Sequence, residues 1–372
     1  MRFTVPQKDF LACIQKLFAV VPNKTTHPIL NSILFRLSGN ELELTATDLE
    51  ISISSTLSVG GEKDGELAIP AKRLLDIVRE LDDSILSLAS DKNNQVELRS
   101  GASHFHLPSE SPESFPVLPE IAVQSEIEMA GERLKDHIER LGFAVSADEL
   151  RPVLTGVLFE FQAESLNLVA TDGHRLVRIR DTTYSGQGAI GSVVVPVKAL
   201  NLVARSITSN DEVLLFGMAR NHLAFRLKDS VIYSRLIEGN YPAYEGVIPQ
   251  DNSNILQANR AAVSRMIKQV AHCANSITRQ ITLGLSENRL VASAEDNEVG
   301  SRAHTELDVD YNGDALEIAF NATYLEQLLK HVPTEDVVIK FGTQDKAALV
   351  LPELNRENED YLMLLMPVRL MR

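Results

Sequence analysis

The sequence predicts an α+β fold built from three tandem copies of one domain, each a strand-helix-strands unit written twice. Three observations carry this. The chain has 372 residues, too many for one ordinary hydrophobic core and enough for two or three domains of roughly 100 to 150 residues. Laid against itself, it repeats one order of apolar patterning three times. Proline-rich polar stretches at residues 108–119 (PSESPESFPVLP) and 241–254 (YPAYEGVIPQDNSN) separate the copies, which gives domains at 1–122, 123–251 and 252–372.

Each copy opens with a short strand and an amphipathic helix, at residues 3–20 (FTVPQKDFLACIQKLFAV), 127–145 (IEMAGERLKDHIERLGFAV) and 255–273 (ILQANRAAVSRMIKQVAHC). Alternating apolar positions then mark strands at 33–35 and 41–46, at 157–159 and 166–170, and at 281–283 and 289–292. The second half of each copy starts again with a strand: ELAIPAK at 66–72, SVVVPVK at 192–198, LEIAFNA at 316–322. Pro70 and Pro196 stand where strand hands over to helix, a place that loses no helical hydrogen bond. Asn321 holds that place in the third copy and is a good N-cap. Helices are therefore expected at 7–19, 70–80, 130–141, 196–206, 258–270 and 321–331.

No apolar run approaches the roughly 18 residues that span a bilayer, and the start, MRFTVP, lacks the layout of a signal peptide, so a cytoplasmic protein is expected. Cys13 and Cys273 lie far apart with no companion metal-site spacing, and read as reduced structural thiols. With 36 Lys and Arg against 51 Asp and Glu the net charge is −15, which argues against a nucleic-acid partner only if the charge is evenly spread. It is not. The six predicted helices sum to about +7 and the rest of the chain to about −22. Residues 258–270 carry Arg260, Arg265 and Lys268 with no acid, and 196–206 carry Lys198 and Arg205 with none. Helices gathered on one face would attract phosphate there, whereas Lys and Arg are also ordinary helix formers on solvated faces. Tryptophan is absent and aromatics are scarce, so no stacking platform for single strands is evident.

The densest polar motif is ATDGHRL at 170–176, directly after a predicted strand. Asp172 and His174 invite an acid/base or metal reading, yet no nucleophile motif or second His cluster accompanies them. Gly173 fits a tight turn of positive φ, and the first copy has Thr47-Asp48 at the same place. The Gly-His-Arg-Leu sequence is peculiar to the middle copy.

Taken together, ATDGHRL, Pro28-Ile29-Leu30, Tyr241-Pro242-Ala243-Tyr244, Phe320-Asn321 with Tyr324, and Met366-Pro367-Val368-Arg369-Leu370 resemble the bacterial DNA sliding clamps, the β subunits of DNA polymerase III. The resemblance covers the whole chain. It implies a head-to-tail homodimer whose six clamp domains close a ring around duplex DNA, helices inside and sheets outside, a processivity factor without catalysis, cofactor or metal. It further implies one docking pocket per chain for a Gln/Leu/Phe-containing motif of the polymerase α subunit, the clamp loader and repair proteins. The matching positions are Leu154, Thr171, Gly173, His174, Arg175, Leu176, Pro242, Val247, Asn321, Tyr324, Met366, Pro367, Val368, Arg369 and Leu370. Among the cations, Lys24 and Arg151 match positions that touch DNA in the family. Lys72, Arg79, Lys198, Arg205, Arg260, Arg265 and Lys268 join them on helix charge. His272 and Cys273 stand where some members place two large aliphatics at the dimer contact, opposite a region containing Phe105. An enzyme using Asp172 and His174, and a peptide-binding scaffold with no DNA role, are the competing classes.

Overall fold

A computed structural model of the chain describes residues 1–91, 95–117, 125–184, 191–207, 212–219 and 221–369. Its helices are α1 (Gln7–Phe18), α2 (Ala71–Arg79), α3 (Gly131–Leu141), α4 (Val197–Ser206), α5 (Arg260–Ala271) and α6 (Ala322–His331), each within two residues of its expected bounds. Buried residues recur at helical spacing: Phe10, Ile14 and Leu17 in α1, Leu74, Leu75 and Val78 in α2, Val263, Ile267 and Val270 in α5. Pro70 sits immediately before α2 and Pro196 before α4. Asn321 caps α6 as expected, its side-chain oxygen accepting from the Tyr324 amide at 3.3 Å, and Asn259 caps α5 in the same way.

By compactness the chain divides into two units, residues 1–136 with 198–236, and residues 137–197 with 237–372. The sequence repeat and the packing thus cut the chain differently, and the sheets give the reason. Each half-repeat supplies a three-stranded meander, while the strand that opens it crosses to the sheet of the other half. In the first unit, Arg2–Pro6 joins the meander Ile85–Ser90, Gln95–Ser100 and Ser103–Pro108 in a five-stranded sheet. Gly65–Pro70 joins Ser32–Ser38, Glu41–Thr47 and Ile51–Ser58 in the other sheet. That sheet does not end with its own repeat. Strand Ile51–Ser58 pairs antiparallel with Ser230–Arg235 of the middle repeat, giving eight strands in all. In the second unit, Arg175–Asp181 of the middle repeat pairs with Glu359–Leu365 of the third, giving nine. The remaining sheet there has four strands, ending at Ser301–Asp308.

Helices cover these sheets. Phe3 on one sheet, Phe10 on α1 and Phe35 on the other stack edge to face with centroids 6.2 Å apart in both steps, so α1 seals a core between two sheets. Two devices recur across the repeats. The chain leaving each last strand bridges back to the strand that opens the second half, at Ala68 and Glu110, Val194 and Ile237, Ala319 and Val368. An aspartate closes each turn after the second meander strand of the first half. Asp48 accepts from the amides of Glu50 and Ile51, Asp172 from those of His174 and Arg175, and Asp296 from that of Glu298.

Candidate functional site

The Thr171–Arg175 turn is locked from within. Thr171 donates its hydroxyl to the Arg175 carbonyl at 2.6 Å and accepts from the Gly173 amide at 3.1 Å. Gly173 takes φ +90°, and a β-carbon there would meet Arg151 Nη1 at 3.4 Å. The first repeat builds the same turn on Thr47 and Asp48 with Leu49 at φ +77°. Asp172 therefore has a structural use for both oxygens: Oδ1 takes two backbone amides and Oδ2 takes Arg175 Nε at 3.1 Å. It takes the His174 amide but not the His174 ring, which stacks on Tyr324 with centroids 5.8 Å apart. The acid/base arrangement considered from sequence is not formed.

Arg175 turns inward. Its side chain is buried, and beyond Asp172 it donates to Gln327 and, at 2.7 Å, to the Phe143 carbonyl. The guanidinium lies 4.7 Å from the Tyr324 ring and 5.1 Å from the Phe143 ring. Phe143 in turn stacks on His331 at 3.9 Å, and His331 bonds to the Gln327 carbonyl at 2.7 Å. Burial holds the His331 imidazole below its usual range, with Lys330 and Arg175 adding to the effect against that backbone bond. Arg175 is thus a brace that fixes Tyr324, and Tyr324 fixes the exposed His174. Phe143, Gln327 and His331 are absent from the sequence-derived set. A signal existed, since Tyr324, Gln327 and His331 stand three and four apart on α6 and share one face.

The final strand delivers Met366 to this turn. The Met366 amide donates to the His174 carbonyl at 2.9 Å, and two residues on the Val368 amide donates to the Ala319 carbonyl at 2.8 Å. This is the third instance of the recurrent bridge. In the first two repeats the bridged segment continues into the next domain, whereas here it presents Met366, 40% exposed, with half-buried Pro367 and Val368 and exposed Arg369. Leu370 lies outside the described residues, as do Met371 and Arg372. Leu176 belongs to the core with Leu158, Val169, Leu349, Leu364 and Tyr244, and Leu154 is buried too. Pro242 and Val247 are exposed on the connector whose Tyr244 and Ile248 enter that core. Asn321 uses its oxygen as the α6 cap and its amide on the Thr278 carbonyl at 3.2 Å. The His174–Tyr324 stack and the exposed Met366, whose amide bonds the His174 carbonyl, give this turn an apolar surface suited to apolar peptide side chains.

Three family descriptions match the chain in sequence order. The DNA polymerase III beta subunit N-terminal domain matches residues 1–119, its central domain 128–243 and its C-terminal domain 245–369. The beta sliding clamp of Chlamydia pneumoniae is 30% identical over 370 residues, covering 100% of this chain and 99% of the relative. The chain belongs to the DNA polymerase III beta subunit family. The beta sliding clamp of Haemophilus influenzae is likewise 30% identical, with all of both chains covered. The crystal structure of the DNA polymerase III beta subunit of Pseudomonas aeruginosa superposes with a TM-score of 0.94 at 29% identity over the full length of both chains. That clamp has also been solved bound to griselimycin. The family is a non-catalytic accessory subunit of DNA polymerase III.

Of the other candidate residues of this beta subunit, Arg151 lies against Gly173 of the turn. Lys24, Lys72, Arg79, Arg205, Arg265 and Lys268 are exposed. Lys198 bonds Asp48 and Arg151 bonds Asp148 at 2.9 Å, so these two carry their charge already partnered, while half-buried Arg260 donates to the Thr334 carbonyl at 3.1 Å. Phe105 is half-buried on the edge strand Ser103–Pro108, beside a groove of about 1090 Å³ that Phe18, Ile77 and Leu81 also line. His272 is the exposed cap of α5, and the Cys273 carbonyl accepts from the Ser301 hydroxyl at 3.3 Å, next to the edge strand Ser301–Asp308. Among the described residues no helix is long and apolar enough to cross a membrane.

Proposed function

We propose that two copies of this chain close head to tail into a ring around duplex DNA and act in the cytoplasm as the processivity factor of DNA polymerase III. The observation that carries this reading is the rule followed by the sheets. Twice, the last strand of a first half-repeat pairs antiparallel with the last strand of the second half of the following repeat. Applied a third time, the rule asks Ser301–Asp308 of the third repeat for a partner in the first. The matching strand, Ser103–Pro108, also ends its sheet. One copy's edge against the other's would add the four-stranded to the five-stranded sheet. An unsatisfied sheet edge is a template for such pairing, and a heterologous contact of this kind closes into a ring when the rotation allows. Phe105 and Cys273, with His272, stand at these edges.

The exposed cations Lys24, Lys72, Arg79, Arg205, Arg265 and Lys268, with Arg151, Lys198 and Arg260, would line the hole. Sequence-independent phosphate contacts hold a ring loosely enough to slide, because topology supplies the retention. The surface around Leu154, Thr171, Gly173, His174, Arg175, Leu176, Pro242, Val247, Asn321, Tyr324 and Met366 to Leu370 would dock the polymerase α subunit, the clamp loader and other proteins bearing the clamp-binding motif. The griselimycin complex of the Pseudomonas aeruginosa clamp supports a ligand pocket on this scaffold. Light scattering should give twice the chain mass. Protein loaded on nicked circular DNA should stay on the circle and leave once it is linearised. Retention on linear DNA with open ends would contradict encirclement.

A further inference from the structure

The internal seams fix the register that the copies would share, and that register brings two histidines face to face. Ala46, Ala170 and Ala294 hold equivalent places, each two residues ahead of its turn aspartate, and their neighbours across the meander are Ile53, Val177 and Ala303. At the two internal seams Ile53 pairs with Ile232, and Val177 with Met363. Ile232 and Met363 each stand five residues before the bridging residues Ile237 and Val368, and the residue five before the third bridging residue, Glu110, is Phe105. Phe105 therefore meets Ala303 of the second copy. One step along, where Val231 meets Ser54 and Leu362 meets Arg178 internally, His104 meets His304.

Both histidines lie on the exposed face of their strands, with side chains 48% and 60% exposed, and each is already held by a carboxylate of its own copy. His104 Nδ1 is 3.4 Å from Glu97, and His304 Nε2 is 2.9 Å from Glu306. A carboxylate on one ring nitrogen is the arrangement that orients a metal-binding imidazole through the other. The surrounding charge is balanced: Arg99 bonds Glu97, Arg289 bonds Glu306, and Arg302, which the register places opposite His106, bonds Glu295. Directly opposed residues of an antiparallel pair have Cα atoms about 4.5 to 5.5 Å apart, close enough for two imidazoles to share one ion.

We propose that closing the seam assembles a transition-metal site, His104 Nε2 of one copy and His304 Nδ1 of the other taking a cation such as Zn²⁺, with water completing its shell. Neither copy holds both histidines of one site, so cation binding and ring closure are linked. This rests on the head-to-tail reading above.

Zinc chloride titrated calorimetrically into the full-length dimer at about pH 7.5 should bind at one ion per chain, and EDTA should reverse it. Because only the closed seam binds, zinc at 100 times its Kd should tighten each seam about 100-fold in a dilution experiment. His104→Gln and His304→Gln, both exposed positions, should each abolish binding and the tightening while leaving the fold and the zinc-free dimer in place. The His104→Cys, His304→Cys double variant should form a disulfide between copies on oxidation, since this Cα spacing lies in the range disulfides span. A dimer that cross-links so but binds no zinc, or binds it equally well in the glutamine variants, overturns the site and leaves the ring intact. A dimer that does not cross-link overturns the register and the site with it. A chain that stays monomeric at every concentration overturns both readings.

Discussion

Replacing Arg175 by alanine tests whether it braces the pocket or contacts the peptide. The Arg175–Asp172 pair spans 3.1 Å with side chains 7% and 12% exposed, and removing one partner of a buried pair costs about 3–5 kcal/mol. Asp172 keeps two backbone amides, which places the loss near the lower end, at about 3 kcal/mol. The two ring contacts and the orphaned Gln327 and Phe143 acceptors bring it back up by about 1 kcal/mol. His174→Ala removes only an exposed stack at 5.8 Å, about 0.5 kcal/mol. Urea unfolding should therefore show a large loss for Arg175→Ala and almost none for His174→Ala, each compared with wild type. Fluorescence anisotropy with a labelled Gln/Leu/Phe peptide should show weakened binding in both, through lost preorganisation in the first and a lost wall in the second. If Arg175→Ala lost less than about 1 kcal/mol of stability yet abolished peptide binding, the brace account would be wrong and Arg175 would be a direct ligand.

Three further outcomes follow from the same geometry. Burial lowers the pKa of His331 in the folded chain, so the unfolded chain takes up more protons as pH drops below the free imidazole value of about 6.5. Stability should therefore be level above that pH and decline below it, and the urea midpoint of His331→Phe, measured against pH beside wild type, should decline less. Burial pushes the Cys13 thiol up to about 12, with Lys16 opposing. In native protein at pH 8 iodoacetamide should therefore leave Cys13 unmodified by mass spectrometry, and labelling should appear on denaturation. Neutralising exposed Arg265 should reduce the salt slope of duplex binding by about 0.9, whereas Lys198→Gln, whose charge already faces Asp48, should reduce it by clearly less.

Much of this protein was legible in the sequence because its signals are local. Helix positions follow from apolar spacing, the handover prolines and Asn321 from backbone chemistry, and the turn at Asp172 from a Thr-Asp-Gly run whose hydrogen bonds span four residues. The repeat, and the family resemblance resting on it, needed only order and spacing. Tertiary structure decided the rest, where partners are distant in sequence. Arg175 reads as a polar group offered to a ligand until Gln327, Phe143 and Tyr324 close around it. The third turn aspartate, Asp296, is hidden because its run reads Glu-Asp-Asn rather than Thr-Asp. Above all, a strand's own pattern says that one face is buried and nothing about which strand lies at its edge. Only pairing across the repeats, Ile51–Ser58 with Ser230–Arg235 and Arg175–Asp181 with Glu359–Leu365, reveals the rule that leaves Ser301–Asp308 and Ser103–Pro108 without such a partner among the described residues, because edge hydrogen bonds are made by the backbone, which every residue shares.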